Sequence, residues 1–303
     1  MAFLKSSIKF IILISVLLSF SCSENTEEDA SPQNETIDGD GATNQDSTNE
    51  EGSGDENTDN DDSPGNVLGL TMDNWKLNGF TGNPNSNAVY EDNVLEAINS
   101  DYDSYNDLNY FYTDNEWTYF KCYRGLGGSA NSNNPRVELR ELSNGNNVYW
   151  DGGSGNNTMT FTVKVDRLPQ DTDNDGGVLC FAQIHGPSNT VDDVIRVQFI
   201  GDENQTTGGV RLKISGYITE VVQNSSLIID DGYQLGTSYT FTITYNNGTV
   251  KLFKGSEEIF SEDIGTSTTG NYFKVGNYLQ SVQGASYTGS HGIVGIKDLS
   301  ITH

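Results

Sequence analysis

Residues 66–303 predict an all-β protein, a jelly-roll β-sandwich carrying a polar concave groove. The first observation is a recurrence of short alternating segments rich in β-branched and aromatic residues. They are "TMTFTVKV" (158–165), "VIRVQFI" (194–200), "GVRLKISGYI" (209–218), "SYTFTITYNNGTVKLFKG" (238–255) and "GIVGIKDLSIT" (292–302). Such residues suit a pleated, half-buried surface, and the Gly, Asn and Asp between them supply turns. The second is the scarcity of helical periodicity, for which "NVLEAINS" (93–100) is a modest candidate. The third is a set of strands that set polar side chains opposite an apolar face. Within "TYNNGTVKLF" the Asn-Asn-Gly step tolerates positive φ and predicts a hairpin turn. Strands at this spacing, with no propeller or solenoid repeat, fit one sandwich.

The first 22 residues are of another kind. Lys5 and Lys9 flank the start of an apolar run, Phe10 to Phe20, which Ser21 and Cys22 follow. A basic start, an apolar stretch too short to cross a bilayer and a small residue before a cut describe an export signal. The cysteine at that cut resembles a bacterial lipoprotein box. Cys22 is therefore expected to carry lipid and hold the protein at the outer membrane or cell surface, with secretion as the alternative. Residues 23–65 hold fifteen Asp and Glu, no Lys or Arg, and Ile37 as their one large apolar residue. Such a stretch buries too little to offset its ordering entropy, so a disordered acidic tether is expected. The organisation predicted is signal 1–22, tether 23–65 and folded domain 66–303.

The whole chain carries a net charge of −27, and residues 66–303 still hold 28 acids against 14 Lys and Arg. No Lys/Arg-rich run exists, so nucleic acid is not an expected partner. An acidic protein that binds a polyanion must gather its few cations in one groove. Cys122 and Cys180 sit in apolar strand contexts, and a disulfide and two buried thiols both remain open. No Cys/His cluster has zinc spacing, and no metal or cofactor is expected. "DTDNDGG" (171–177) reads as an acidic turn, since it lacks the downstream glutamate of an EF-hand loop. A monomer is expected.

Three segments share one oddity. "RVELR" alternates Arg136, Glu138 and Arg140 with Val137 and Leu139, which puts the three charges on one face of a strand. "CFAQIHG" does the same with Gln183 and His185 about Ile184. "NYFKVGNYLQ" aligns Tyr272, Lys274, Gly276, Tyr278 and Gln280 against Phe273, Val275 and Leu279. Each face alone reads as a solvated sheet surface. Together they select Arg, Lys, His, Gln and Tyr against the single acid Glu138, in a domain with twice as many acids as bases. That composition predicts a groove for a polyanionic, hydroxyl-rich chain.

"RVELR", "QIH" and "YFKVGNYLQ", in this order in one β-rich chain, resemble the three signature motifs of polysaccharide lyase family 7, the alginate lyases. Val137 and Val275 depart from the usual Ser/Thr and Ala, and Asn277 and Leu279 from the usual pair. The resemblance implies cleavage of a 4-O-linked uronate polysaccharide by β-elimination to unsaturated oligosaccharides, without a cofactor. It implies that Tyr278 is the catalytic tyrosine and that His185 assists it or serves as base, depending on the sugar. Ile184 in "QIH" goes with guluronate-containing blocks in the family.

The chemistry asks for the same residue types. Removing the weakly acidic C5 proton requires donors that neutralise the adjacent carboxylate in a water-poor groove. Arg136, Gln183 and His185 have that donor character, and an arginine can engage a carboxylate through two parallel hydrogen bonds. A base must take the proton and an acid must protonate the departing O4, and Tyr278 can do either. The expected catalytic set is thus Arg136, Gln183, His185 and Tyr278. Glu138 orients Arg136 or Arg140 at the substrate-binding face, and Arg140, Tyr272, Lys274 and Gln280 line subsites. A retaining hydrolase would need two carboxylates across one bond, whereas Glu138 and Glu141, three apart, fall on opposite faces. A non-catalytic polyuronate-binding module of the same fold is the remaining alternative.

Overall fold

The computed structural model describes residues 62–129, 132–170, 177–186, 193–201, 210–265, 268–280, 282 and 285–303. The signal with Cys22, the tether up to residue 61 and positions 171–176 of the acidic turn lie outside the described residues. The chain runs through α1 (Pro64–Leu68), β1 (Trp75–Thr81), β2 (Val89–Glu91), α2 (Val94–Ala97), β3 (Phe111–Thr113) and β4 (Thr118–Tyr123). It continues as β5 (Arg136–Ser143), β6 (Asn146–Asn147), β7 (Asn157–Arg167), β8 (Val178–His185), β9 (Asp193–Gly201) and β10 (Val210–Ser215). After α3 (Tyr217–Val221) come β11 (Leu227–Tyr233), β12 (Ser238–Asn246), β13 (Thr249–Lys254) and β14 (Glu257–Asp263). The last strands are β15 (Tyr272–Gln280) and β16 (His291–Thr302).

These strands form two antiparallel sheets in a jelly-roll sandwich. One has the order β11-β10-β9-β8-β15-β5-β1-β2, with β6 paired to β5, and the other β14-β13-β12-β7-β16-β4-β3. Long crossovers bring β15 between β8 and β5, so the three polar segments of the sequence become adjacent strands. Between the sheets, Val137, Leu139, Ile184, Phe273, Val275 and Leu279 meet Phe120, Phe161, Val163, Phe241, Val294 and Ile296. Phe181 bridges the layers, its ring centroid 6.0 Å from Phe161 and 4.8 Å from Phe199. Burying each such side chain contributes about 1.5–3 kcal/mol. This apolar layer fixes which face of β5, β8 and β15 looks outward.

Two irregularities shape that outward face. Between Val275 and Tyr278, β15 carries one residue more than β8, and between Cys180 and Ala182, β8 carries one more than β9. Through these bulges Cys180, three residues from Gln183, comes to the same face, where alternation already places Tyr278 with Lys274 and Gln198 with Arg196. Gly276 marks the close approach of β15 to β5. Its φ is 144°, and a Cβ there would lie 2.6 Å from the Glu138 Cα, so only glycine admits this contact.

The hairpin turn falls where expected, with Asn247 at φ 50° and Gly248 at φ 85° between β12 and β13. The segment 93–100 holds one helical turn, α2. The strand read over 209–218 ends at Ser215, because Gly216 adopts φ 110° and turns the chain into α3. Neither α1 nor α3 was legible, being too short for helical periodicity to register. Cys122 and Cys180 are free and buried. Cys122 lies in the core between the sheets, whereas Cys180 faces the outer side of the nine-stranded sheet, so the layers keep them apart. His303, outside the motifs, is tied to the buried Glu141 by Nε2 at 2.5 Å and to Asn157 by Nδ1 at 2.9 Å.

The packed body includes Ser63, Pro64 and Gly65, which the boundary at residue 66 had left in the tether. All three are buried. The Ser63 hydroxyl donates to the Tyr102 carbonyl at 2.6 Å, and Thr118 Oγ1 donates to the Pro64 carbonyl at 2.7 Å. A chain starting at Asp62 should therefore melt like the full chain. One starting at Asn66 loses two buried hydrogen bonds of about 1 kcal/mol each, a fall of ~4–8 °C for this size. Calorimetry of the two truncations checks this, and equal melting temperatures would contradict it.

Candidate active site

The outward face of the nine-stranded sheet is organised in rows that cross the strands. One row runs Ser215, Arg196, Gln183, Lys274, Arg140 and Lys76, each residue paired in register with the next. A second runs Lys213, Gln198, Cys180, Tyr278 and Arg136. Between them, Gly276 pairs with Glu138 and Glu138 with Asn78. His185 pairs with Tyr272 on one side and Asp193 on the other. Strand register alone thus brings the three sequence motifs to one surface. A cleft of about 590 Å³ opens over it, bordered by Arg136, Arg140, His185, Tyr272, Lys274 and Tyr278 among others.

Glu138 holds the centre of the floor and is 2% exposed. Lys274 forms a direct ion pair with its Oε1, and Arg136 Nη1 approaches the same oxygen at 3.5 Å. Gln183 Nε2 donates to Oε2 at 2.9 Å. Burial by itself would push the Glu138 carboxyl up. Lys274, and after it Arg136, outweigh that effect and hold the group below its ordinary range, so it is an anion. Burial also draws Lys274 down, against the pull of Glu138, and the repulsion from Arg136 and Arg140 adds to it. A buried carboxylate facing two buried cations and an amide is stable only because all the partners are present.

Arg136 sits over the ring of Tyr278, its guanidinium carbon 4.1 Å from the ring centroid. The Tyr278 hydroxyl is 2.9 Å from the Ser132 hydroxyl. One guanidinium nitrogen serves Glu138, while Nε and Nη2 are buried with no hydrogen-bond partner among the described residues. A buried N–H without a partner is costly. These two belong to one edge of the fork, the arrangement that matches a carboxylate. An imidazole and a phenol ring, His185 and Tyr272, border the same cleft. His185 stacks on Tyr272 with centroids 4.9 Å apart and planes 13° from parallel. Arg140 covers the opposite partner of that stack, 4.0 Å from the Tyr272 centroid, and its Nη1 donates to Asn147 Oδ1. Burial pushes the Tyr272 phenol up to about 12, against the lowering pull of Arg140. His185 Nδ1 lies 2.7 Å from the Gly186 carbonyl oxygen. A carbonyl only accepts, so Nδ1 carries the proton and in the neutral ring Nε2 carries the lone pair.

Arg136, His185 and Tyr278 thus border one cleft, whereas the predicted Gln183 and Glu138 are buried beneath it and do not border it. Two expectations change. Glu138 orients Arg136, Lys274 and Gln183, and Arg140 instead bonds to Asn147. Gln280 is buried and does not border the cleft; its Oε1 accepts from Arg196 Nη1 at 2.8 Å, making it a support for that arginine. Glu138 remains the single acid of the three motifs, and two further acids come from elsewhere in the chain. Asp92 and Asp193 border the cleft, Asp92 pairing with Lys76 at 2.6 Å and Asp193 with Arg196 Nε at 3.2 Å. With Lys274 on Glu138, the cations Arg136 and Arg140 remain in excess, so the floor is still net positive. Sequence reasoning missed Lys76, Asn78, Tyr90, Ser132, Tyr149 and Arg196. "WKLNGF" and "VIRVQ" alternate polar residues as the three motifs do, but Tyr149 and Ser132 come from loops that carry no such period. Among the described residues, no three metal-ligating side chains come together.

A jelly-roll sandwich with this buried cation cluster beside an imidazole and phenols has the make-up of a polysaccharide lyase acting on anionic sugar chains. Residues 70–303 match the family described as alginate lyase, and the chain belongs to that family. Its fold is similar to the marine family 7 alginate lyase AlyA1 from Zobellia galactanivorans. The two are 58% identical over 80% of this chain and 99% of that one, with a TM-score of 0.74. The family 7 alginate lyase AlgAT5 is 27% identical over 80% and 98% of the two chains, with a TM-score of 0.61. An alginate lyase from Corynebacterium sp., 24% identical over 80% and 98% at a TM-score of 0.62, shares the fold. No curated protein sequence matches.

Replacing Glu138 by Gln removes the anion between two buried cations. The variant should be less stable than wild type by about 3–5 kcal/mol at neutral pH, the scale of a broken buried pair. Because the folded carboxyl titrates below its ordinary value, its contribution is present above that value and is lost as pH falls through the folded one. The gap between the two proteins should therefore close in acid. Urea unfolding at neutral and acidic pH measures both, and equal stability at neutral pH would contradict the assignment.

Proposed function

We propose that this alginate lyase works through Arg136, Gln183, His185 and Tyr278, with Glu138 holding the first two in place. The observation that carries the reading is the unused Nε–Nη2 edge of Arg136, buried beside the Tyr278 ring. A uronate carboxylate set against that edge satisfies both N–H groups and has its charge neutralised. Its C5 proton then becomes removable. As the C5–H electrons form the C4=C5 double bond, the bond from C4 to the glycosidic oxygen breaks and that oxygen takes up a proton. Tyr278 sits beside the guanidinium, which answers negative charge developing on the phenol oxygen. The lone pair on His185 Nε2 offers the second proton acceptor. Arg140, Tyr272 and Lys274 hold neighbouring sugars.

Guluronate-containing blocks are the proposed preference, on the Gln-Ile-His pattern. Ile184 is fully buried, so its influence on the sugar passes through the depth at which β8 sets Gln183 and His185. The proposal also takes Cys22 as lipidated, residues 23–62 as the spacer to an outer membrane or cell surface, and the enzyme as a monomer. Cys22→Ala should move the protein from the membrane fraction to the soluble one. If it stays with the membrane, the anchor lies elsewhere.

Tyr278→Phe keeps the ring under Arg136 and removes one hydroxyl. It should lower kcat by about 10²–10⁴-fold, the scale of lost acid–base catalysis, with little change in KM. Tyr272→Phe should retain most of the turnover. The conjugated product absorbs in the ultraviolet, so both variants can be followed on defined alginate blocks. A Tyr278→Phe enzyme retaining more than half of kcat on every block would defeat the assignment.

A further inference from the structure

The cationic surface does not end at the cleft. Lys213 on β10 lies in the same cross-strand row as Tyr278 and Arg136, through Gln198 and Cys180. Three strand spacings separate it from Tyr278, roughly 14 Å. The side chains between and around them are mixed: Gln198 and Cys180 lie in the row, and Ile228 pairs beside Lys213. Ser215 Oγ donates to Gln198 Oε1 at 2.8 Å, Arg196 donates to Gln280, and Arg196 is also paired with Asp193.

Lys213 is the exception. It is half-buried, and no carboxylate pairs with it among the described residues. Burial lowers its affinity for a proton, and the nearby charges of Arg196 and Arg211 lower it further. A cation held among like charges on a partly dry surface is unfavourable in the protein alone. An anion laid across it would relieve that cost. A linear polyanion that crosses the strands over Arg136 and Tyr278 passes over Gln198 and arrives at Lys213.

We propose that Lys213 forms a distal subsite that binds the carboxylate of a uronate remote from the bond being cleaved, and so selects long chains over short ones. This rests on the lyase reading of the cleft and names a part of the track outside it. Gln198 lies on the way in the same row, and Lys213 supplies the charge at the end. Its contribution is to binding, since it lies too far from Tyr278 to touch the reacting atoms.

The test compares wild type, Lys213→Gln and Lys213→Arg on polymeric alginate and on the shortest oligouronate that wild type cleaves. For Lys213→Gln the KM on polymer should rise roughly three- to tenfold with kcat held, the scale of one lost charge-assisted contact. The short substrate does not reach β10, and its KM should stay at the wild-type value. Lys213→Arg keeps the charge and should restore the polymer KM. Added salt should narrow the gap between wild type and Lys213→Gln on polymer, because screening weakens the same attraction. An unchanged polymer KM, or equal rises on long and short substrates, would overturn the subsite. Wild type giving no ultraviolet-absorbing product from either substrate would instead remove the lyase reading beneath it.

Discussion

The site depends on one buried anion. Glu138 is surrounded by Lys274, Arg136 and Gln183 on strands from distant parts of the chain, and none of these contacts is local except that with Arg136. Desolvating three charges is expensive, and their attraction offsets it only while the geometry holds. That requirement explains the close approach of β15 to β5 at Gly276, where a side chain would collide with Glu138. It also explains why the guanidinium of Arg136 is fixed: one nitrogen is committed to Glu138 and the group sits over Tyr278, which leaves the Nε–Nη2 edge without a partner among the described residues.

A preorganised edge of this kind does its work in the transition state. On the proposed mechanism, the Arg136 N–H groups are held in place before charge develops on the uronate carboxylate, whereas water would need to reorient around it. The sandwich core secures the alignment from behind. Val137, Ile184, Phe273 and Val275 lock the opposite faces of the same strands, so core packing and donor placement are one constraint seen from two sides of a sheet. Asn277 adds a polar tie across the layers, its amide donating to the Phe120 carbonyl at 3.0 Å.

Much of this was legible in the sequence because period-two patterning reports both strand and face. Val137 and Leu139 between Arg136, Glu138 and Arg140 announced a strand with one charged side, and the structure places it so. What the alternation does not report is depth. Taken alone, the charges of β5 read as a solvated face, and only the three segments together pointed to a groove; Arg136, Glu138 and Arg140 are all buried, with Ser132 and Tyr149 from loops beside them at the cleft. Pairing partners were equally hidden. Gln280 shares the alternation of Tyr272 and Lys274, and nothing in the sequence marks it as the support of Arg196. Asp92 and Asp193 reach the cleft through tertiary contacts alone. The short helices and the bend at Gly216 depend on single residues, which a periodic pattern averages away.

The central claim is that Glu138 and Lys274 are a coupled pair whose partners cannot be removed independently. A double-mutant cycle on folding stability tests it most directly, using Glu138→Gln, Lys274→Met and the combination. Arg136 loses its carboxylate whenever Glu138 is replaced, but removing both charges together leaves no unpaired Lys274 or Glu138 behind, so the double variant should be more stable than the sum of the single losses predicts. The coupling should be about 1–3 kcal/mol, within the range for contacting charged groups. Additivity within about 0.5 kcal/mol, the behaviour of independent sites, would show that the two groups do not depend on each other and would contradict the account.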